Sequence, residues 1–231
     1  MNYKDWEIIY KKISKDLKIS YEDDLRSSYL LNDLLTEKEK KDIGLLEKKI
    51  KGKNVYIFGA GPSLEEKIKK YKENFIEKTI IASDGATSAL IKSKIIPDII
   101  VTDLDGKISD QIYANEKGSI IVIHSHGDNI KEIKNYFPKF KNNVFGTTQI
   151  NPKSFKNLYN FAGFTDGDRA VYLASFFKAK KIFLIGFDFN GVIGKYSFAE
   201  KKDENIKLKK LKWCEKLIKN LEKEKKNIQE I

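Results

Sequence analysis

The order of apolar and polar positions divides the chain into three zones. In the first, Trp6, Ile9, Tyr10, Ile13 and Leu17 recur at helical spacing, and "LRSSYLLNDLL" adds a second apolar stripe before the lysine-rich "EKEKKDIGLLEKKIKGKN". Residues 1–50 therefore read as an N-terminal helical annex. From Asn54 the period shortens. "NVYIF", "TIIAS", "DIIVT", "SIIVIHS", "NVFGT" and "KIFLIGF" are β-rich runs separated by helix-compatible stretches. That alternation predicts an α/β core over residues 51–203, built on a doubly wound, mostly parallel, Rossmann-like sheet. In the third zone, 204–231, Leu211, Cys214, Leu217, Ile218 and Leu221 share one helical face amid lysines, which predicts a C-terminal helix docked on the core. No internal repeat is evident.

Composition narrows the class. With 231 residues, 41% of them hydrophobic, the chain can bury one substantial core. No apolar run approaches the roughly 18 residues of a membrane span. The N-terminal "MNYKDWEIIYKKISKDLK" lacks the basic, apolar, small-residue progression of a secretory signal, and the lone Cys214 suits a reducing compartment, so a cytoplasmic location is expected. Cys214 itself reads as a small buried hydrophobe. The net charge of +11 could serve nucleic acid, but nearly all of it is lysine mixed with glutamate along helices, a surface that hot-growing organisms often use. A basic nucleic-acid-binding module would explain the charge and leave the aspartates unexplained. Arginine occurs only at Arg26 and Arg169, which makes its presence in "TDGDRA" informative.

The strand-like runs end in "GAGPS", "SDGA", "TDLDG", "HSHGD", "GTTQ" and "GFDFNG". In an open parallel sheet ligands bind outside the carboxyl ends of the strands, so these loops should collect on one edge. Turns alone do not call for so many carboxylates, because like charges in one cleft repel unless a cation lies between them. If strand geometry persists through "TDLDG", Asp103 and Asp105 project to the same side. With Asp84 from the preceding strand they offer oxygens to a hard divalent cation, although D-x-D alone is equally a solvated turn. In "GAGPSLEE", Gly59 and Gly61 permit a tight turn, and Ser63 with Glu66 spells an S-x-x-E capping box that leaves backbone N–H groups for an anion. Leu64 breaks the dinucleotide fingerprint there, and Glu65 and Glu66 oppose a phosphate on the helix end. His124 and His126, with Asp128, lack a further histidine or cysteine to complete a transition-metal site. They read as substrate or phosphate contacts or as turn lining. In "TDGDRA", Asp166 or Asp168 can cap the next helix, and Arg169 in its first turn would direct a bidentate phosphate-binding group into the cleft.

"DGA", "PDIIVTDLDG" and "TDGDRA" resemble, in order and approximate spacing, motifs of the thiamin pyrophosphokinases. With "GAGPSL" before them and "HSHGDN" and "GTTQ" between, the set is more specifically similar to the archaeal 6-hydroxymethyl-7,8-dihydropterin pyrophosphokinases, over roughly residues 54–190. Gly106 stands where thiamin pyrophosphokinases carry serine, which argues against thiamin as substrate. The "GAGPSL" region also resembles the motility-accessory glycosyltransferases, and a nucleotide-sugar transferase is the alternative.

The pterin resemblance implies Mg²⁺-dependent transfer of diphosphate from ATP to a pterin hydroxymethyl group, with release of AMP, in methanopterin-type cofactor synthesis. It implies Asp103, Asp105 and Asp166 as Mg²⁺ ligands, with Asp84 directly beside them or one layer out. Arg169 would hold phosphate. Gly59, Gly61, Ser63, Asp84 and Gly85 would line the nucleotide loops, and His124, His126, Thr148 and Gln149 would contact substrate. The partners expected are small molecules, without membrane or nucleic acid; a homo-oligomer is compatible with the sequence.

Overall fold

Short runs of Ile, Val and Phe become strands buried on both faces, as a parallel sheet covered by helices requires. The computed structural model describes residues 3–38, 41–197 and 203–231. Its strands are β1 (Asn54–Phe58), β2 (Thr79–Ser83), β3 (Ile99–Thr102), β4 (Ile120–Ser125), β5 (Val144–Thr148), β6 (Leu158–Tyr159), β7 (Lys181–Ile185) and β8 (Ile228–Glu230). Every pairing is parallel, in the order β6-β5-β4-β3-β2-β1-β7-β8. The doubly wound α/β expectation therefore holds, and the six expected runs are all strands. The two edge strands β6 and β8 were not expected, because at two and three residues they carry no hydrophobic period of their own.

The helices are α1 (Tyr3–Leu17), α2 (Tyr21–Thr36), α3 (Gly44–Ile50), α4 (Leu64–Tyr71), α5 (Ala86–Lys92), α6 (Ile108–Glu116), α7 (Ile130–Tyr136), α8 (Asp166–Phe176) and α9 (Glu204–Glu224). None is long and apolar enough to cross a membrane among the described residues. The chain walks outward from β1 to β6 and then returns to place β7 on the other side of β1. The β1/β7 boundary is thus the point where the winding reverses and a crevice opens above the sheet.

Both terminal segments join this core. In α1, Trp6, Tyr10 and Ile13 are buried at the helical spacing read from the sequence. Ser20 caps α2 by accepting the Asp23 N–H (3.2 Å), and α2 then lies against β4 and β5. Its Ser28 hydroxyl reaches Ser125 Oγ (3.0 Å) and Thr148 Oγ1 (2.7 Å), a buried polar seam between helix and sheet. At the other terminus, Cys214, Leu217, Ile218 and Leu221 are the buried face of α9, which packs on α8. Past Glu224 the chain enters β8, pairing Ile228 with Ile182.

Candidate active site

Because all strands are parallel, their carboxyl ends lie on one edge, where a cleft of about 670 Å³ opens. That volume suits a small-molecule site. Its floor carries Gly59, Gly61, Asp84, Gly85, Asp103 and His126, its wall carries Asp166 and Arg169 from α8, and α9 contributes Lys207 and Lys210.

At the middle of the cleft Asp84, Asp103 and Asp166 each present a carboxylate oxygen within 4.8 Å of the others. Asp84 closes β2, with only 5% of its surface exposed. Its oxygens accept from Thr102 Oγ1 (2.7 Å), Gln111 Nε2 (2.9 Å) and the Asp105 N–H (3.2 Å). Burial first, and the adjacent Asp103 charge second, nevertheless push its carboxyl up to about 6. Asp166 is driven well above the ordinary carboxylate range by burial and then by Asp103, with Arg169 opposing. These are carboxylates held together against their own repulsion.

The backbone explains which aspartates meet. β3 ends at Thr102, and Leu104 turns into the left-handed region at φ 68°. The extended geometry that would have put Asp103 and Asp105 side by side is therefore lost one residue into the motif. Asp103 joins the cluster, while Asp105, exposed, lines the cleft outside it. Gly106 then presses on Asp84 so closely that a Cβ there would lie 1.8 Å from Asp84 Oδ1. Serine at this position would displace the carboxylate.

The expected capping of α8 falls to Asp168 alone. Asp168 accepts the N–H groups of Phe164 (2.7 Å) and Thr165 (2.6 Å), leaving Asp166 to face the cleft. Arg169, 7% exposed, reaches Asp166 Oδ1 and Gln149 Oε1, both at 3.4 Å. The S-x-x-E capping box expected at α4 does not form. Ser63 is itself helical, and its N–H and hydroxyl both donate to Asp188 Oδ2 (2.9 Å each). The N–H expected to hold an anion is already occupied by a carboxylate. Glu65 points elsewhere, to Lys92, Lys195 and Tyr196, and these partners hold it down at about 2.

His126 lines the cleft, with Nε2 3.1 Å from Asp103 Oδ2 and Nδ1 accepting the Asp128 N–H (3.2 Å). An acceptor at Nδ1 leaves Nε2 as the donor to Asp103. His124 and Thr148, by contrast, are buried beneath the floor. His124 Nδ1 bonds Thr147 Oγ1 (3.0 Å), and burial with nearby Arg169 pushes its ring well below the usual value, so it is neutral. The two sit on opposite faces of the sheet, Thr148 against Ser28 of α2 (2.7 Å) and His124 toward Arg169 of α8. Gln149, one residue past β5, does reach the cleft.

Several cleft residues carry no signal in their local sequence. Asp24 of α2, fully buried, accepts from Tyr10 (2.5 Å), Gln149 Nε2 (2.6 Å) and the Gly127 N–H (2.8 Å). It ties the N-terminal helices to the site. Glu132, Lys207 and Lys210 also line the cleft, from positions that the sequence does not single out.

The sequence profile for 6-hydroxymethylpterin diphosphokinase MptE-like proteins matches residues 29–192. The chain is 45% identical over 229 residues to a 6-hydroxymethyl-7,8-dihydropterin pyrophosphokinase of Methanocaldococcus jannaschii, covering 94% of this chain and 95% of that one. It is 43% identical to the protein of the same name from Pyrococcus furiosus (94% and 93%) and 44% identical to that of Methanothermobacter thermautotrophicus (72% and 73%). A solved structure titled MAf glycosyltransferase, from Magnetospirillum magneticum AMB-1, is similar at a TM-score of 0.43 and 16% identity, over 69% of this chain and 28% of that one. A likeness that slight says nothing about activity. With the profile spanning most of the chain and relatives this similar nearly end to end, the chain belongs to the 6-hydroxymethylpterin diphosphokinase MptE-like family.

Proposed function

We propose that this chain transfers diphosphate from ATP to the hydroxymethyl group of 6-hydroxymethyl-7,8-dihydropterin. The acceptor oxygen forms a bond to the β-phosphorus, the bond from that phosphorus to the α,β-bridging oxygen breaks, AMP leaves and the hydroxyl proton is lost. The carrying observation is the central triad Asp84, Asp103 and Asp166 in a chain whose curated relatives are pterin pyrophosphokinases.

The triad fits a hard divalent cation. Its donors are all carboxylate oxygens, and the raised carboxyls of Asp84 and Asp166 mark a site that positive charge would relieve. Asp84, Asp103 and Asp166 would hold Mg²⁺, with Asp105 at the cleft wall beside them. When bound, the ion supplies charge neutralisation for the triphosphate. The residues of the chain do the rest. Thr102, Gln111 and the Asp105 N–H fix the Asp84 carboxylate, and His126 fixes Asp103. Arg169, Lys207 and Lys210 face phosphate oxygens, and the arginine can stabilise charge on the leaving group. Such a reaction needs alignment and charge neutralisation more than a covalent nucleophile, and positioning alone contributes about 7–11 kcal/mol. Residues 51–203 would be the catalytic core, served by the helices on either side.

The test is to incubate the chain with ATP and Mg²⁺ and offer hydroxymethyldihydropterin, thiamin and sugars in turn. AMP and the pterin diphosphate are the expected products with the first acceptor. ADP as the sole nucleotide product, or full turnover in excess chelator, would refute the proposal.

A further inference from the structure

The cleft has an axis, because the strands beneath it stand side by side about 4.8 Å apart. In the order β4-β3-β2-β1-β7 it runs from His126 and Glu132, past Asp103 and Asp84, to the glycine loops after β1 and β7. The triad occupies the middle. In an in-line displacement the attacking and leaving oxygens lie on opposite sides of the phosphorus, so the two substrates approach from opposite ends. The β1/β7 end is where the winding reverses, the position at which open parallel sheets take a nucleotide, and there Gly59 and Gly61 let the β1 loop pack against Gly186 and Asp188. The β4 end is left for the acceptor.

Glu132 of α7 stands at that end. It is half-buried, and its Oε2 is shielded from solvent while meeting no hydrogen-bond donor among the described residues. It follows Asn129 by three residues, and Asn129 Nδ2 donates to the main-chain oxygen of Asp103 (2.9 Å). Glu132 is thus about one helical turn, roughly 5 Å, beyond the group that anchors the triad. Two other carboxylates of the cleft are already engaged: Asp24 by Tyr10, Gln149 and Gly127, and Asp188 by Ser63.

We propose that Glu132 recognises the acceptor ring. A carboxylate accepts two parallel N–H bonds from a planar donor pair, and the ring N–H and 2-amino group of a 2-amino-4-oxo pterin form such a pair. This edge lies across the ring system from the hydroxymethyl group, so pairing with Glu132 turns that group toward Asp103 and Asp84. The assignment rests on the pterin diphosphokinase reading, and Glu132 acts by binding and orientation.

Glu132→Gln tests it in the full chain, with pterin affinity read from the fluorescence of the ring in the absence of nucleotide. The expected result is a pterin Kd raised about ten- to a hundredfold, with the KM for ATP and the melting temperature unchanged. An analogue bearing oxygen in place of the 2-amino group should bind the native chain weakly and lose nothing further in the variant. A Kd within twofold of the native value would overturn the assignment. So would an equal weakening of pterin and ATP, or a pterin Kd that rises in Asp188→Asn instead. Glu132-dependent binding without AMP release would refute the diphosphokinase reading alone, whereas AMP release with unchanged Glu132→Gln affinity would refute this assignment alone.

Discussion

The two edges of the sheet treat the same kinds of residue in opposite ways. At the amino ends of the strands, Asp98 accepts from Lys49 Nζ (2.7 Å) and from the Ile80 N–H (2.9 Å). Nearby Asn115 accepts the N–H groups of Lys141 and Asn142 (3.1 Å each) and donates to Ser119 O (2.9 Å). These two side chains meet their complements. At the carboxyl ends, Asp84, Asp103 and Asp166 meet one another, and their carboxyls rise in response. One edge is arranged for stability. The other keeps charges in opposition, the arrangement that makes a cation site and costs the metal-free fold.

Substitutions at the carboxyl edge should show the largest effects. Asp103→Asn or Asp84→Asn should lower AMP formation by about 10²–10³-fold or more, as loss of a charge-stabilising group does. The same variants should melt higher without metal, by about 2–4 °C for each kcal/mol of repulsion relieved. Asp105→Asn, outside the cluster, should lose less activity than either. Steady-state AMP release and a melting curve on the same preparations decide the matter. Near-native AMP release by Asp103→Asn would remove the triad from the chemistry.

Acidity should sharpen the contrast next. The Asp84 carboxyl is raised in the folded chain from 3.8 to about 6, so its protonated form is favoured by folding. That stabilisation is full below the unfolded value and is lost as pH rises through the folded one. Metal-free chain should therefore lose stability as pH rises between about pH 4 and 6, with Asp166 acting in the same direction. Saturating Mg²⁺ should flatten the dependence. Denaturant unfolding with and without the ion measures both, and metal-free stability that rises across this window would contradict the cluster.

The smallest effect belongs to the opposite edge. Lys49→Met removes a partly exposed pair with Asp98 and should cost no more than about 1 kcal/mol, leaving AMP release unchanged. Activity lost in that variant would mean that the two edges are coupled.

Local sequence determined the strands whose hydrophobic runs are long enough to show a period, and it determined that polar loops would gather at their ends. This follows from chemistry encoded residue by residue: β-branched runs favour strands, and parallel winding sends every carboxyl end to one edge. Asp84, Asp103 and Arg169 could be placed at that edge on this basis, whereas Asp166 is singled out from Asp168 by the resemblance to the pterin pyrophosphokinases. Which carboxylates touch was decided by the tertiary structure. The left-handed turn at Leu104 separates Asp105 from Asp103, and Asp188 rather than Glu66 takes the Ser63 N–H. Nothing in the local sequence singles out Asp24 or Glu132, and only the packing of α2 on β4 and β5, with α7 against α2, brings them to the cleft. His124 and Thr148 shared a motif with cleft residues and still ended beneath the floor. Spacing along a chain records periodicity, but the direction of a side chain across a loop depends on backbone angles and neighbours supplied from far away in sequence.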